Sequence, residues 1–149
     1  WVIYAIYGFR NGRHYCEMDY IRNKPEMGDV LLDTCWINLS KMPGLMSSSD
    51  NKWKKAFDDN WNDIFVEQVK LYNPDVIIFG GTFDLAGSYV MDNQINGEIV
   101  WSDDRQLSLT KYRHKERLII AAAHPGIRHN VDFWVNSIIG ALNDFSKTL

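Results

Sequence analysis

Cysteine is scarce: Cys16 and Cys35 are the only two in 149 residues. Two thiols make no disulfide framework. By themselves they cannot supply the four ligands of a structural zinc or an iron–sulfur cluster. Long apolar runs are also missing, since no stretch reaches the roughly 18 residues that a membrane-spanning helix needs. No segment has the charged, apolar and small-residue succession of a secretory signal. Excess positive charge is lacking too. Sixteen Lys and Arg against 19 Asp and Glu leave a formal net charge of −3, which removes the global basic field behind tight non-specific DNA binding. No internal repeat or low-complexity tract occurs, and "MSSSDNK" is the only flexible-looking polar stretch. The expectation is a cytoplasmic protein with no cofactor, no metal and no membrane partner.

Aromatic residues are plentiful, with six Trp, seven Tyr and seven Phe. They serve either a packed core or stacking on flat ligands. The chain opens inside an apolar segment, "WVIYAIYGFRNG", read as a helix that stops at Gly12. "VLLDTCWINL" (30–39) is largely apolar, as a strand covered on both faces should be. From Asp50, a reasonable N-cap, the period changes: Trp53, Phe57, Trp61, Ile64, Phe65, Val69 and Tyr72 recur at helical spacing, up to Asn73-Pro74. "DVIIFGG" (75–81) reads as a short buried strand, and Thr82 as the cap of a helix, "FDLAGSYVM". "NGEIVW" is a hairpin-like or edge excursion, and "KYRHKER" a solvated basic lead-in. "LIIAAA" (118–123) is another buried strand. Val131, Trp134, Val135, Ile138, Ile139, Leu142 and Phe145 trace one face of a final helix.

Strands alternating with helices imply right-handed βαβ units. The expected fold is a three-layer α/β/α sandwich with a central, mostly parallel sheet of about four strands, forming one domain over residues 1–149. Ligands of such sheets bind beyond the carboxyl ends of the strands. Those ends read "INLSKMPG", "FGGTFD" and "HPGIRHN". Asn38 offers two donors and an acceptor oxygen in one plane, which suits the edge of a nucleobase or a local backbone bond equally. Gly80, Gly81 and Thr82 permit close backbone approach to a ligand, or simply tight packing. They lack the spacing of a phosphate loop. His124 is the first polar side chain after Arg117, at the carboxyl end of its strand. The basic group Lys111, Arg113, His114, Lys115 and Arg117 belongs to the opposite edge. Lys41, Lys52, Lys54 and Lys55 follow the first strand end and are better placed for phosphates. Asp33, inside an apolar strand, has no evident purpose, and no paired carboxylates or metal-ligand spacing appear.

A strand ending in Asn, one ending in Gly and one ending in His-Pro, in that order, resemble the uracil-DNA glycosylase superfamily, in particular a bacterial branch grouped with it. The resemblance covers about residues 1–145. It implies hydrolysis of the N-glycosidic bond of uracil or a related damaged base in DNA. Asn38 would read uracil O4 and N3–H, and His124 would donate to O2 of the departing base. Gly81 and Thr82 would line the base site. Ile127 and Arg128 would lie on the loop that wedges the duplex, and Lys41 would contact DNA. Tyr15 stands in for the stacking aromatic without a motif behind it. Gly126 replaces the serine of the family's His-Pro-Ser. The water-orienting first motif has no counterpart in residues 1–28: either it stands, with its strand, ahead of Trp1, or the protein lacks it. Two other functions fit the same residues: a base- or nucleotide-binding module without hydrolysis, and a small hydrolase pairing Ser40 with His124.

Overall fold

The computed structural model of the chain describes residues 1–39, 57, 59, 61–90, 97–102, 108–114, 117–126 and 129–148, with backbone alone for 97–102 and 108–114. Helix α1 spans Val2–Asn11 and ends, as its sequence predicts, at Gly12 in the left-handed conformation. Helix α2 (Asn62–Tyr72) stops at Asn73, also left-handed, just before Pro74. Strand β1 (Val76–Gly80) leads into the short helix α3 (Phe83–Ala86). Strands β2 (Gly97–Ser102), β3 (Ser108–His114) and β4 (Arg117–Ala122) follow, and helix α4 (Val131–Ser146) closes the chain. Among the described residues, no helix is long and apolar enough to cross a membrane.

The sheet order is β1-β4-β3-β2. Only β1 and β4 run parallel; β3 is antiparallel to both β4 and β2. This corrects the expectation of a mostly parallel sheet. A parallel neighbour needs a crossover of a dozen or more residues, and the connections after β2 and β3 are shorter than that, so the chain doubles back. "KYRHKER" is accordingly no lead-in over its first four residues, because 111–114 belong to β3. Arg113 and His114 pair with Leu118 and Arg117 at the amino end of β4, whereas Lys111 pairs with Ile120, nearer its carboxyl end. Arg117 is spent on structure: its Nε donates to the Pro74 carbonyl at 2.6 Å and its Nη2 to Asn73 Oδ1 at 3.0 Å.

The larger correction concerns residues 30–39, which form no strand. A 3-10 helix covers Pro25–Leu31, and irregular chain follows. Its bonds are local: Thr34 Oγ1 donates to the Val30 carbonyl at 2.7 Å, and the Leu32 N–H to the Asp29 carbonyl at 3.0 Å. Side-chain-to-backbone bonds of this kind compete with strand pairing. The change explains Asp33, which stands on the surface and pairs with Arg10 at 3.1 Å.

The parallel pair has apolar cover on both faces. Leu118, Ile120 and Ala122 join Ala5 of α1 and Trp134, Val135, Ile138 and Leu142 of α4 in one cluster. Ile119 points the other way, into a cluster with Phe57, Phe65, Val69, Phe79 and Ala86. The two-residue period of a strand thus divides "LIIA" between two cores.

Candidate functional site

Because β1 and β4 are parallel neighbours, their carboxyl ends lie side by side. The register sets Gly80 against Ala122, and the Gly81 N–H donates to the Ala122 carbonyl at 2.7 Å. Just beyond them, Gly81 meets His124, two residues past Ala122. A Cβ on Gly81 would sit 3.0 Å from both Cβ and N of His124, and one on Gly80 would sit 2.7 Å from Pro125 Cδ. Gly81 also has φ near +70°, a region other residues enter at a cost of about 1–2 kcal/mol. Glycine is therefore required twice over at 81. Gly81→Ala should destabilise the fold beyond the strain alone. Gly12, at φ +61° with nothing within 4 Å of a built Cβ, supplies the comparison. Urea unfolding of Gly12→Ala should show only the backbone strain, and Gly81→Ala a larger loss from its contact with His124.

His124 is exposed, and one of its ring nitrogens is committed. The Gly126 N–H donates to Nδ1 at 3.0 Å. A nitrogen that accepts carries no proton, so of the two tautomers of the neutral ring this bond selects the one with hydrogen on Nε2. The ring therefore presents one donor beyond the strand ends. Gly126 reaches the ring through its backbone. Among the described residues no serine hydroxyl or carboxylate bonds to His124, and Ser40 lies outside them.

Thr82 precedes α3, and its carbonyl accepts the Ala86 N–H at 3.0 Å. Its side chain makes no cap hydrogen bond, so the expected cap is one of position only. Asp84 stands exposed in the first turn of α3. Asn38 is exposed on the irregular segment rather than at a strand end. Leu39 beside it is buried with Phe79 and Ala86, and Trp36 lines a groove with Pro125. Asn38 thus lies in the chain between Leu39, packed on the β1 core, and Trp36, which shares a groove with Pro125. Lys41, Ile127 and Arg128 lie outside the described residues, as do Asp50, Lys52, Lys54 and Lys55.

The groove is what sequence reading missed. It has a volume of about 270 Å³, with Trp1, Tyr4, Ile21, Leu31, Trp36 and Pro125 among its walls. The Trp1 indole N–H donates to the His124 carbonyl at 3.4 Å, and the Tyr4 hydroxyl accepts the Ile21 N–H at 2.9 Å. Assigning Trp36 to a buried strand concealed it. Tyr15 is elsewhere, edge-on to Tyr4 with ring centroids 5.3 Å apart, and its N–H donates to Asn136 Oδ1. Burial, followed by the nearby Tyr4, Tyr20 and Asp132, raises the Tyr15 phenol above its usual pKa. A larger hollow of about 470 Å³ lies on α2, between Asp63, Ile64, Glu67, Gln68 and Leu71. Among the described residues its walls all come from this one helix, and Glu67 is paired there with Lys70 at 2.8 Å. Among the described residues no group of three His, Cys, Asp or Glu side chains is placed to hold a metal ion.

No family model, no curated protein and no solved structure matches this chain.

Proposed function

We propose that the edge formed by the β1 and β4 carboxyl ends binds uracil or a related base in DNA and releases it by hydrolysis of the N-glycosidic bond. In this reading the parallel pair with its helices is the centre of a three-layer α/β/α sandwich. The observation that carries it is the Gly126 N–H on His124 Nδ1. It keeps a proton on Nε2, where a hydrogen bond can meet the negative charge that develops on the departing base. A pre-aimed donor of this kind is typically worth about 2.7–4 kcal/mol in the transition state. Asn38 supplies a planar pair of donor and acceptor atoms suited to O4 and N3–H of uracil, and cytosine, with a donor at its 4-position, mismatches it. Gly81 and Thr82 let the base approach the backbone closely. Lys41, Ile127 and Arg128 are assigned to the DNA strand, for a basic contact and for the wedge that parts the target base from its stacked neighbour.

A second reading, base binding without hydrolysis, has one observation in its favour. Asp33 and Glu67 are spent on surface ion pairs, and among the described residues no carboxylate bonds to His124. One experiment separates the two. The full chain is incubated with single-stranded DNA carrying one uracil, and free uracil is quantified alongside binding. The hydrolytic reading expects release; tight binding without release leaves the binding module, and neither binding nor release removes both.

A further inference from the structure

We propose that the groove beside Pro125 stacks one unpaired nucleobase flanking the base held at His124, so that the substrate is single-stranded rather than duplex nucleic acid. The identity of the ligand rests on the reading given under Proposed function. The groove and His124 are joined, because Pro125 forms a wall and the Trp1 indole bonds to the His124 carbonyl. Three aromatic rings, Trp1, Tyr4 and Trp36, face about 270 Å³. That space holds one ring with part of its sugar, and lies just below the roughly 300–1,000 Å³ of pockets for drug-sized ligands. It is too small to seat a helix.

Trp36 is 62% exposed, and Leu31 and Tyr20 leave further apolar surface in water on the same segment of chain. An indole held open in this way suits a flat ligand, since every base has a π-face to offer. In a duplex those faces are already closed by neighbouring base pairs, so a strand with free bases fills the groove and a duplex does not. A net charge of −3 makes stacking, rather than phosphate contact, the main source of affinity. Arg22, exposed and next in sequence to the wall residue Ile21, offers local positive charge to the nucleic-acid backbone.

The test uses labelled oligothymidylate, which lacks uracil, and its duplex with oligoadenylate, with binding read by fluorescence anisotropy on the full chain. The single strand should bind more tightly than the duplex. Trp36→Ala should weaken single-strand binding about tenfold or more, and Trp36→Phe should retain most of it. Trp36 is exposed, so circular dichroism and melting of Trp36→Ala should match the parent. Equal binding by Trp36→Ala and parent, or duplex binding as tight as single-strand binding, overturns the proposal. So does a parent dimer that Trp36→Ala dissociates without change in oligonucleotide affinity, which marks the groove as a protein contact. Binding lost in Trp36→Ala, with no uracil released by the parent, upholds the groove and removes the catalytic reading. Release by the parent with unchanged binding in Trp36→Ala does the reverse.

Discussion

In the hydrolytic reading proposed above, replacing His124 with alanine should slow uracil release about 10²- to 10³-fold, the usual cost of removing one pre-aimed donor at a developing oxyanion. Binding of an oligonucleotide and the melting temperature should stay near the parent values. The ring is exposed and, among the described residues, takes one hydrogen bond, from the Gly126 N–H, which water can replace after truncation. The loss should therefore fall on kcat and not on affinity, as expected for an interaction made mainly in the transition state. His124→Gln sharpens the prediction. Its side-chain amide carries a donor near the position of Nε2, so it should recover part of the rate. If glutamine and alanine variants release uracil equally slowly, His124 is not acting as a hydrogen-bond donor. If either releases it at the parent rate, His124 has no part in the reaction.

How much of this was legible beforehand differs by element. Helix α4 is plain in the sequence because Trp134, Val135, Ile138, Ile139, Leu142 and Phe145 repeat at three- and four-residue steps, and all six are buried. Strands β1 and β4 are legible because short β-branched runs between polar residues suit a strand with both faces covered. Residues 30–39 have the same composition and a different outcome. Val30 and Leu39 are buried while Leu32 is 84% exposed. Apolar content records that a segment can be buried. It does not record whether a neighbouring strand is there to accept its backbone bonds, and local bonds from Thr34 took their place. Strand β3 failed in the opposite sense. Its charged residues read as solvated, yet pairing with β4 is a non-local event that no local pattern encodes. The same division holds at the candidate site. Gly81 and His124 were legible as candidates from the rule that ligands sit beyond parallel strand ends; that they meet follows from the pairing of β1 with β4. The groove walls Trp1, Ile21, Trp36 and Pro125 come from distant parts of the chain, so no spacing announces them.

The strongest effect on stability should come from β4, where adjacent side chains serve different cores. Ile119 and Ile120 are both fully buried, each at 0% exposure. Ile120 packs with α1 and α4, and Ile119 with the aromatic cluster of Phe57, Phe65 and Phe79. Truncating a buried isoleucine to alanine removes its transfer free energy and leaves a cavity, typically about 2–5 kcal/mol together. Each single variant should lie in that range by urea unfolding. Their side chains leave opposite faces of the strand and sit in separate clusters, so the losses should add to within about 0.5 kcal/mol. A sum of about 4–10 kcal/mol meets the whole stability of an ordinary domain, about 5–15 kcal/mol, so the double alanine variant should be largely unfolded at 25 °C. Milder substitutions test the additivity itself. Ile119→Val and Ile120→Val should each cost about 0.5–1.5 kcal/mol, which keeps the double variant folded and measurable. A coupling well above 0.5 kcal/mol between the valine substitutions would mean that the two faces of β4 share one core, and that the parallel pair is not the wall between two.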